Sequence, residues 1–199
     1  MAFRDFTFPQ VLADLGLTAR DAELFPDQPT AAVRPDFADA ITEGAAVGVG
    51  VSTEKARSEF IVAPVLLELR RMSDRSFAVF SGVEWSPDAA RGLNGFCDFI
   101  LTRGGSQHVL SAPFVAIAEA KNDLIRNGLG QCIAGMVGAQ TANRDAGRAV
   151  PQIFGIVTTG TTWKFLRLDG ACVTLDVGEY YIDNLPRLMG VLRRVVEIV

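Results

Sequence analysis

Two carboxylates and one lysine stand at the ends of strand-like runs, where they could hold a metal ion and use it. In PFVAIAEAK a period of two puts Val115, Ile117, Glu119 and Lys121 on one face and Phe114, Ala116, Ala118 and Ala120 on the other, so a carboxylate and an ammonium end one apolar face together. The preceding run, GFCDFIL, carries Asp98 between Cys97 and Phe99, company in which a solvated surface acid is not expected. An isolated buried carboxylate is costly unless it is paired or metal-bound. Two carboxylates on adjacent strands repel, and a divalent cation resolves the repulsion by taking hard oxygen ligands. A lysine two residues beyond the second acid can then orient an attacking water or stabilise the charge of a phosphorane-like transition state. Taken alone, Glu-x-Lys is equally an ordinary strand-end salt bridge, with Asp98 starting a turn.

Other chemistries lack their residues. The single histidine, His108, lies among Gly104, Gly105, Ser106 and Gln107 and reads as a loop residue, so HExxH zinc hydrolases and histidine-dependent triads are poorly supported. Cys97, Cys132 and Cys172 form no disulfide or zinc pattern. Gly44, Gly48 and Gly50 are followed by no Gly-Lys-Ser/Thr, which leaves a flexible loop rather than a phosphate cradle. The net charge of −4 argues against a nonspecific nucleic-acid coat but not against a local basic groove. Lys55, Lys121 and Lys164 are the only lysines, so one beside two candidate ligands carries weight. No long apolar run and no signal-peptide layout are visible, which leads to the expectation of a soluble, cytoplasmic protein with no membrane contact.

The elements that must position these residues follow from periodicity. Residues 1–51, with Pro9, Pro26, Pro29 and Pro35, read as an arm or lid of short helices and loops, and residues 52–199 as the main domain. Ser52 or Thr53 can cap a helix over about 53–72, with Glu54 in its first turn, Arg70 and Arg71 at its end, and a kink near Phe60 to Pro64. SFAVFSGVEW, GLNGFCDFILTR and PFVAIAEAK predict three strands in a meander. A second helix follows with Asn122 as N-cap and Leu124, Ile125, Leu129, Cys132, Ile133, Met136 and Val137 at helical spacing. Its Gly128, Gly130, Gly135 and Gly138 each cost about 1 kcal/mol against alanine, so they imply close packing on the sheet. QIFGIVTTGTTWKFLRLDG predicts a hairpin whose Trp163, Lys164 and Arg167 either line a groove or simply alternate, ACVTLDVGEYY a further strand, and NLPRLMGVLRRVVEIV a closing amphipathic helix. The order is that of a mixed α/β sheet flanked by helices.

Glu59 on the helix before the strands and Gln131, ten residues after Lys121 on the helix after them, complete an ordered set around Asp98, Glu119 and Lys121. At this point the chain resembles the PD-(D/E)xK phosphodiesterase superfamily of restriction-endonuclease-like nucleases, over about Ser52 to Leu168. The resemblance implies an αβββαβ core, with Asp98 as the strand-two acid, Glu119 and Lys121 as the strand-three Glu-x-Lys, Glu59 as the helix-one glutamate and Gln131 as a supporting polar residue. It implies Mg²⁺ or Mn²⁺ on Asp98, Glu119 and the Ala120 carbonyl, with Lys121 positioning water. Glu59 and Gln131 would serve a second ion or a hydrogen-bonded water. Cys97 stands where the family has proline, and the literal pairs Pro35-Asp36 and Pro87-Asp88 read as decoys, the second in a turn between strands. The implied activity is a metal-dependent endonuclease acting on DNA. The alternative is a nuclease-like fold kept as an inactive binding or regulatory module. A homodimer through the stripe Leu188, Leu192, Val195 and Val196 is a further expectation, with the protein's own core as the other use of that stripe.

Overall fold

Thr53 starts the helix that precedes the strands, its side chain accepting from the Ala56 N–H. In the computed structural model, which describes residues 1–104 and 106–198, the chain begins with α1 (Gln10–Leu15), β1 (Thr18–Ala22) and α2 (Pro35–Val51). The capped helix then runs as α3 (Glu54–Arg57), a π-helical turn at Ser58–Val62, and α4 (Ala63–Met72). The expected irregularity before Pro64 thus takes the form of a wide turn, which accommodates the missing proline N–H without ending the helix.

Next come β2 (Phe77–Asp88), β3 (Leu93–Arg103) and β4 (Phe114–Ala120), joined antiparallel as a meander. The long α5 (Ile125–Asp145) crosses back so that β5 (Ile153–Thr158) lies parallel to β4. β6 (Thr162–Asp169), β7 (Cys172–Asp176) and the short β8 (Tyr180–Tyr181) follow, and α6 (Leu185–Ile198) closes the chain. The sheet order is β1-β7-β6-β5-β4-β3-β2, with β8 paired to β6. The protein is therefore an α/β fold on a mixed, open, eight-stranded sheet. Among the described residues no helix is long and apolar enough to cross a membrane.

Each face of the sheet carries its own core. On one, Phe37 and Ile41 of α2, Leu66 and Leu69 of α4, and Leu188, Leu192, Val195 and Val196 of α6 pack on Phe99, Leu101 and Phe165. The α6 stripe is thus spent inside the molecule. On the other face Cys132, Ile133 and Met136 of α5 pack on Ile100, Ile117, Val157 and Leu166. The glycines of α5 fit this close approach: a Cβ on Gly135 would meet Ile117 Cγ2 at 3.0 Å, and one on Gly138 would meet Pro87 Cγ at 2.9 Å.

Five expectations change, the first being that Gly44, Gly48 and Gly50 form no flexible loop but lie inside α2. The strict alternation of β4 fails at its start, where the β3–β4 register shifts between Leu101 and Thr102. The extra residue puts Phe114 in the core of Ile117 and Val115 in that of Ala116, the reverse of their expected faces. Asn122 is not the N-cap of α5: Leu124 is, with no side-chain cap. Residues 1–51 are not a cover over a finished domain, because β1 pairs parallel with β7 and Phe3, Phe6 and Val11 enter one core while Phe25, Phe37 and Ile41 enter the other. Trp163 lines no groove; it is fully buried and donates its indole N–H to Gly160 O at 2.9 Å.

Candidate metal centre

Phe99 pairs with Ala118 and Ile100 with Ile117, so the next step outward brings Asp98 level with Glu119. Asp98 therefore lies midway along β3, where its pairing with β4 stops, and Glu119 lies near the end of β4. There the Asp98 carboxylate takes a backbone partner, its Oδ2 accepting from the Ala120 N–H at 2.8 Å. Ala120 itself is buried between Glu119 and Lys121.

Glu119 is completely buried, and neither carboxylate oxygen has a hydrogen-bond partner among the described residues. Burial pushes its pKa well above the usual carboxylate range, the adjacent Asp98 charge adds to the rise, and Lys121 opposes it. Such a pair has two ways to relieve its repulsion, a shared proton or a shared cation.

Lys121 is the cation the protein itself supplies. Its Nζ stands 3.9 Å from Glu119 Oε2 and 3.7 Å from Glu54 Oε2, and its side chain is 14% exposed. The Lys121 N–H donates to Thr158 O at 2.8 Å, which ties its backbone to the end of β5. Its stem lies over Gly128, where a Cβ would come within 3.2 Å of Lys121 Cγ and 2.6 Å of Val157 Cγ1. Glycine at that point of α5 is what leaves room for the lysine.

A cleft of about 400 Å³ opens over this group, with Arg4, Glu54, Phe96, Asp98, Lys121 and Gln131 among its walls. Asp98, Lys121 and Gln131 are thus brought together from β3, the end of β4 and α5, as expected from the sequence, with Glu119 buried beneath them. Glu59 is not beside Lys121. It is about half exposed, pairs with Lys55 at 2.7 Å, and lines a smaller depression that Glu54 and Asp98 also border. Glu54, five residues earlier, takes the position next to the lysine. The π-helical turn that begins at Ser58 separates the two, and only Glu54 also borders the cleft of Lys121. Burial raises the Glu54 pKa, and the nearby Lys121 lowers it. No spacing signal in the sequence selects Glu54 over Glu59.

The literal Pro-Asp pairs have structural work. Asp88 Oδ1 accepts from the Arg91 N–H at 3.2 Å, and Asp36 pairs with Arg34 at 2.8 Å. His108 is exposed in the loop after β3, and Gly105 beside it lies outside the described residues. A larger cavity of about 490 Å³, bounded by Arg57, Asn122, Arg126, Thr159 and Glu179, contains none of the central acids.

The donor set suits a hard divalent ion better than zinc. Among the described residues no three His, Cys, Asp or Glu side chains form a complete metal cage. Mg²⁺ needs less, since it keeps several waters and is held by one or two carboxylates. The two donor-less oxygens of Glu119, with Asp98 beside them, fit that requirement.

No family model matches the chain, and a comparison with curated proteins gives no match.

Proposed function

We propose that the protein is a metal-dependent phosphodiester hydrolase, an endonuclease acting on DNA, with Mg²⁺ or Mn²⁺ held by Asp98, Glu119 and the Ala120 carbonyl. The observation that carries this reading is a fully buried glutamate without a hydrogen-bond donor, beside a second acid and within 3.9 Å of a largely buried lysine. A purely structural ion pair would place the lysine's donors directly on the carboxylate. Here Lys121 stands between Glu119 and Glu54 and bonds closely to neither, which leaves its protons for a third party.

The element order supports the same reading. A helix, an antiparallel meander, a crossover helix and a strand parallel to the third of the meander follow the αβββαβ order of the restriction-endonuclease-like core, within a sheet that extends beyond it.

In this reading Asp98 and Glu119 would hold the ion, which would supply Lewis-acid polarisation of a phosphodiester oxygen and an acidified water. Lys121 donates a proton contact to the attacking water or to a non-bridging oxygen that gains charge as the water adds in line and the ester oxygen leaves. Glu54 keeps the ammonium of Lys121 aimed into the cleft. Gln131 faces it from α5 and can hold a water by its amide.

The test is DNA nicking or cutting with Mg²⁺ or Mn²⁺, using purified protein and Asp98→Asn, Glu119→Gln and Lys121→Ala variants. Each substitution is expected to lower the cleavage rate by at least 100-fold, while Lys121→Ala still binds Mn²⁺. Equal cutting by Lys121→Ala overturns the mechanism. Absence of any turnover, with Mn²⁺ binding that Glu119→Gln removes, favours an inactive binding module.

A further inference from the structure

Phe96 has no role in the acid and lysine group, yet it lines the same cleft and is 63% exposed. Single exposed apolar residues are ordinary on a protein surface. This one sits two residues before Asp98 on β3, in a cleft whose other side chains are mostly polar. Keeping a phenyl ring in water beside acids serves no packing purpose.

The charges of the cleft narrow what could cover that ring. Its cations are Arg4 and Lys121, set against Glu54, Glu84 and Asp98, in a chain of net charge −4. A duplex is gripped through many phosphates by clustered Lys and Arg, and this cleft offers no such row. Binding to a strand without pairing partners draws instead on bases stacked against aromatic side chains, which works for every base. A cleft of about 400 Å³ has the size of a small-ligand pocket, enough for one nucleotide and not for a double helix. Its wall is firmly set, because Phe3 and Phe6 on either side of Arg4 are buried and Phe3 packs 6.1 Å from Trp85.

Resting on the nuclease reading above, we infer that Phe96 is a stacking platform for an unpaired base, and that the substrate is single-stranded DNA or a single-stranded end. The strand lays one base on Phe96 while the neighbouring phosphodiester enters between Asp98 and Lys121, with Arg4 available to an adjacent phosphate.

The experiment measures fluorescence anisotropy of a labelled 20-nucleotide oligothymidine and of a blunt 20-base-pair duplex, with Ca²⁺ present so that no turnover is required. Wild type is expected to bind the single strand at least tenfold more tightly than the duplex. Phe96→Ala should weaken strand binding about tenfold or more, in line with the loss of one stacked base, and Phe96→Tyr should keep it within threefold. Phe96 is exposed, so circular dichroism should show both variants folded as wild type. The inference is overturned if wild type does not bind the strand, if the duplex binds as tightly, or if Phe96→Ala binds like wild type. Strand binding that depends on Phe96 without any cleavage in Mg²⁺ or Mn²⁺ sinks the nuclease reading alone. Duplex cleavage by Phe96→Ala at the wild-type rate sinks only this inference.

Discussion

At the scale of single residues, the lysine's partner separates two glutamates. Glu54 lies 3.7 Å from Lys121 Nζ, whereas Glu59 is engaged with Lys55 on the helix surface. Replacing Glu54 by Gln is expected to slow Mn²⁺-dependent cleavage about tenfold or more, because the ammonium loses the charge that holds it in place. Glu59→Gln should stay within about twofold, since exposed i,i+4 pairs contribute only about 0.3–0.5 kcal/mol. Rates at saturating DNA, measured side by side, decide it, and a larger loss in Glu59→Gln would reverse the assignment. Asp98, Glu119, Lys121 and Gln131 could be located from the sequence because each sits on or beside a strand or helix with a clear periodic pattern. The choice between Glu54 and Glu59 could not. It depends on which side of an irregular helix faces the sheet, and that direction is set by the π-helical turn at Ser58–Val62 and the packing of Ile61 and Val62, not by spacing.

At the scale of elements, α2 and α4 are clasped by one acid. Glu68 of α4 is 5% exposed, with Arg71 Nη2 at 2.6 Å from its Oε1 and Arg34 Nη2 at 3.2 Å from its Oε2. The hydrogen bond from Arg71 is the chief cause that holds its pKa down, to about 2 from the usual 4.5. A depressed carboxyl stabilises the fold fully above its unfolded pKa, and that contribution is lost as pH falls through the folded value. The clasp should therefore weaken progressively from about pH 5 toward pH 2. Because both arginines are about half exposed, its worth is discounted to roughly 1–2 kcal/mol at neutral pH. Urea unfolding of wild type and Glu68→Gln, followed from pH 7 to pH 2, should show a gap of that size that closes as the pH falls. A gap that stays constant would mean the ion pair contributes nothing. The helices α4, α5 and α6 were legible from apolar spacing and end signals, and so was the β5–β6 hairpin, but α2 was not, because Gly44, Gly48 and Gly50 inside it read as a loop. What periodicity could not supply was local: the bulge that reverses Phe114 and Val115, and the start of α5. There the Lys121 N–H is already committed to Thr158 O, and the helix begins beyond Asn122, which left the expected cap outside it.

At the scale of the whole molecule, the part least visible in the sequence is the part that joins the two faces. β1, with the sequence TARDA, is almost entirely exposed and lacks the alternation of a half-buried strand, and it exists as the sheet's edge strand through parallel pairing with β7, 154 residues further along. Pairing over that distance has no local signature, so the first fifty-one residues read as an arm. Their aromatic residues were the available clue, since Phe3, Phe6, Phe25 and Phe37 are more than a detachable lid needs. With Val11 and Ile41 they are buried in two separate cores. Each such side chain contributes about 1.5–3 kcal/mol on burial, so the six together rival the net stability of about 5–15 kcal/mol typical of a domain. A fragment of residues 52–199 is therefore expected to lose its cooperative thermal transition and near-ultraviolet circular dichroism and to bind a hydrophobic dye. The same removal strips Phe6 from Gly130 of α5, where the two backbones touch too closely for any side chain, and takes Arg4 from the cleft wall. Activity should vanish with the fold rather than decline alone. If the fragment instead melts cooperatively and still cuts DNA, the arm is dispensable and the two faces are stable without it.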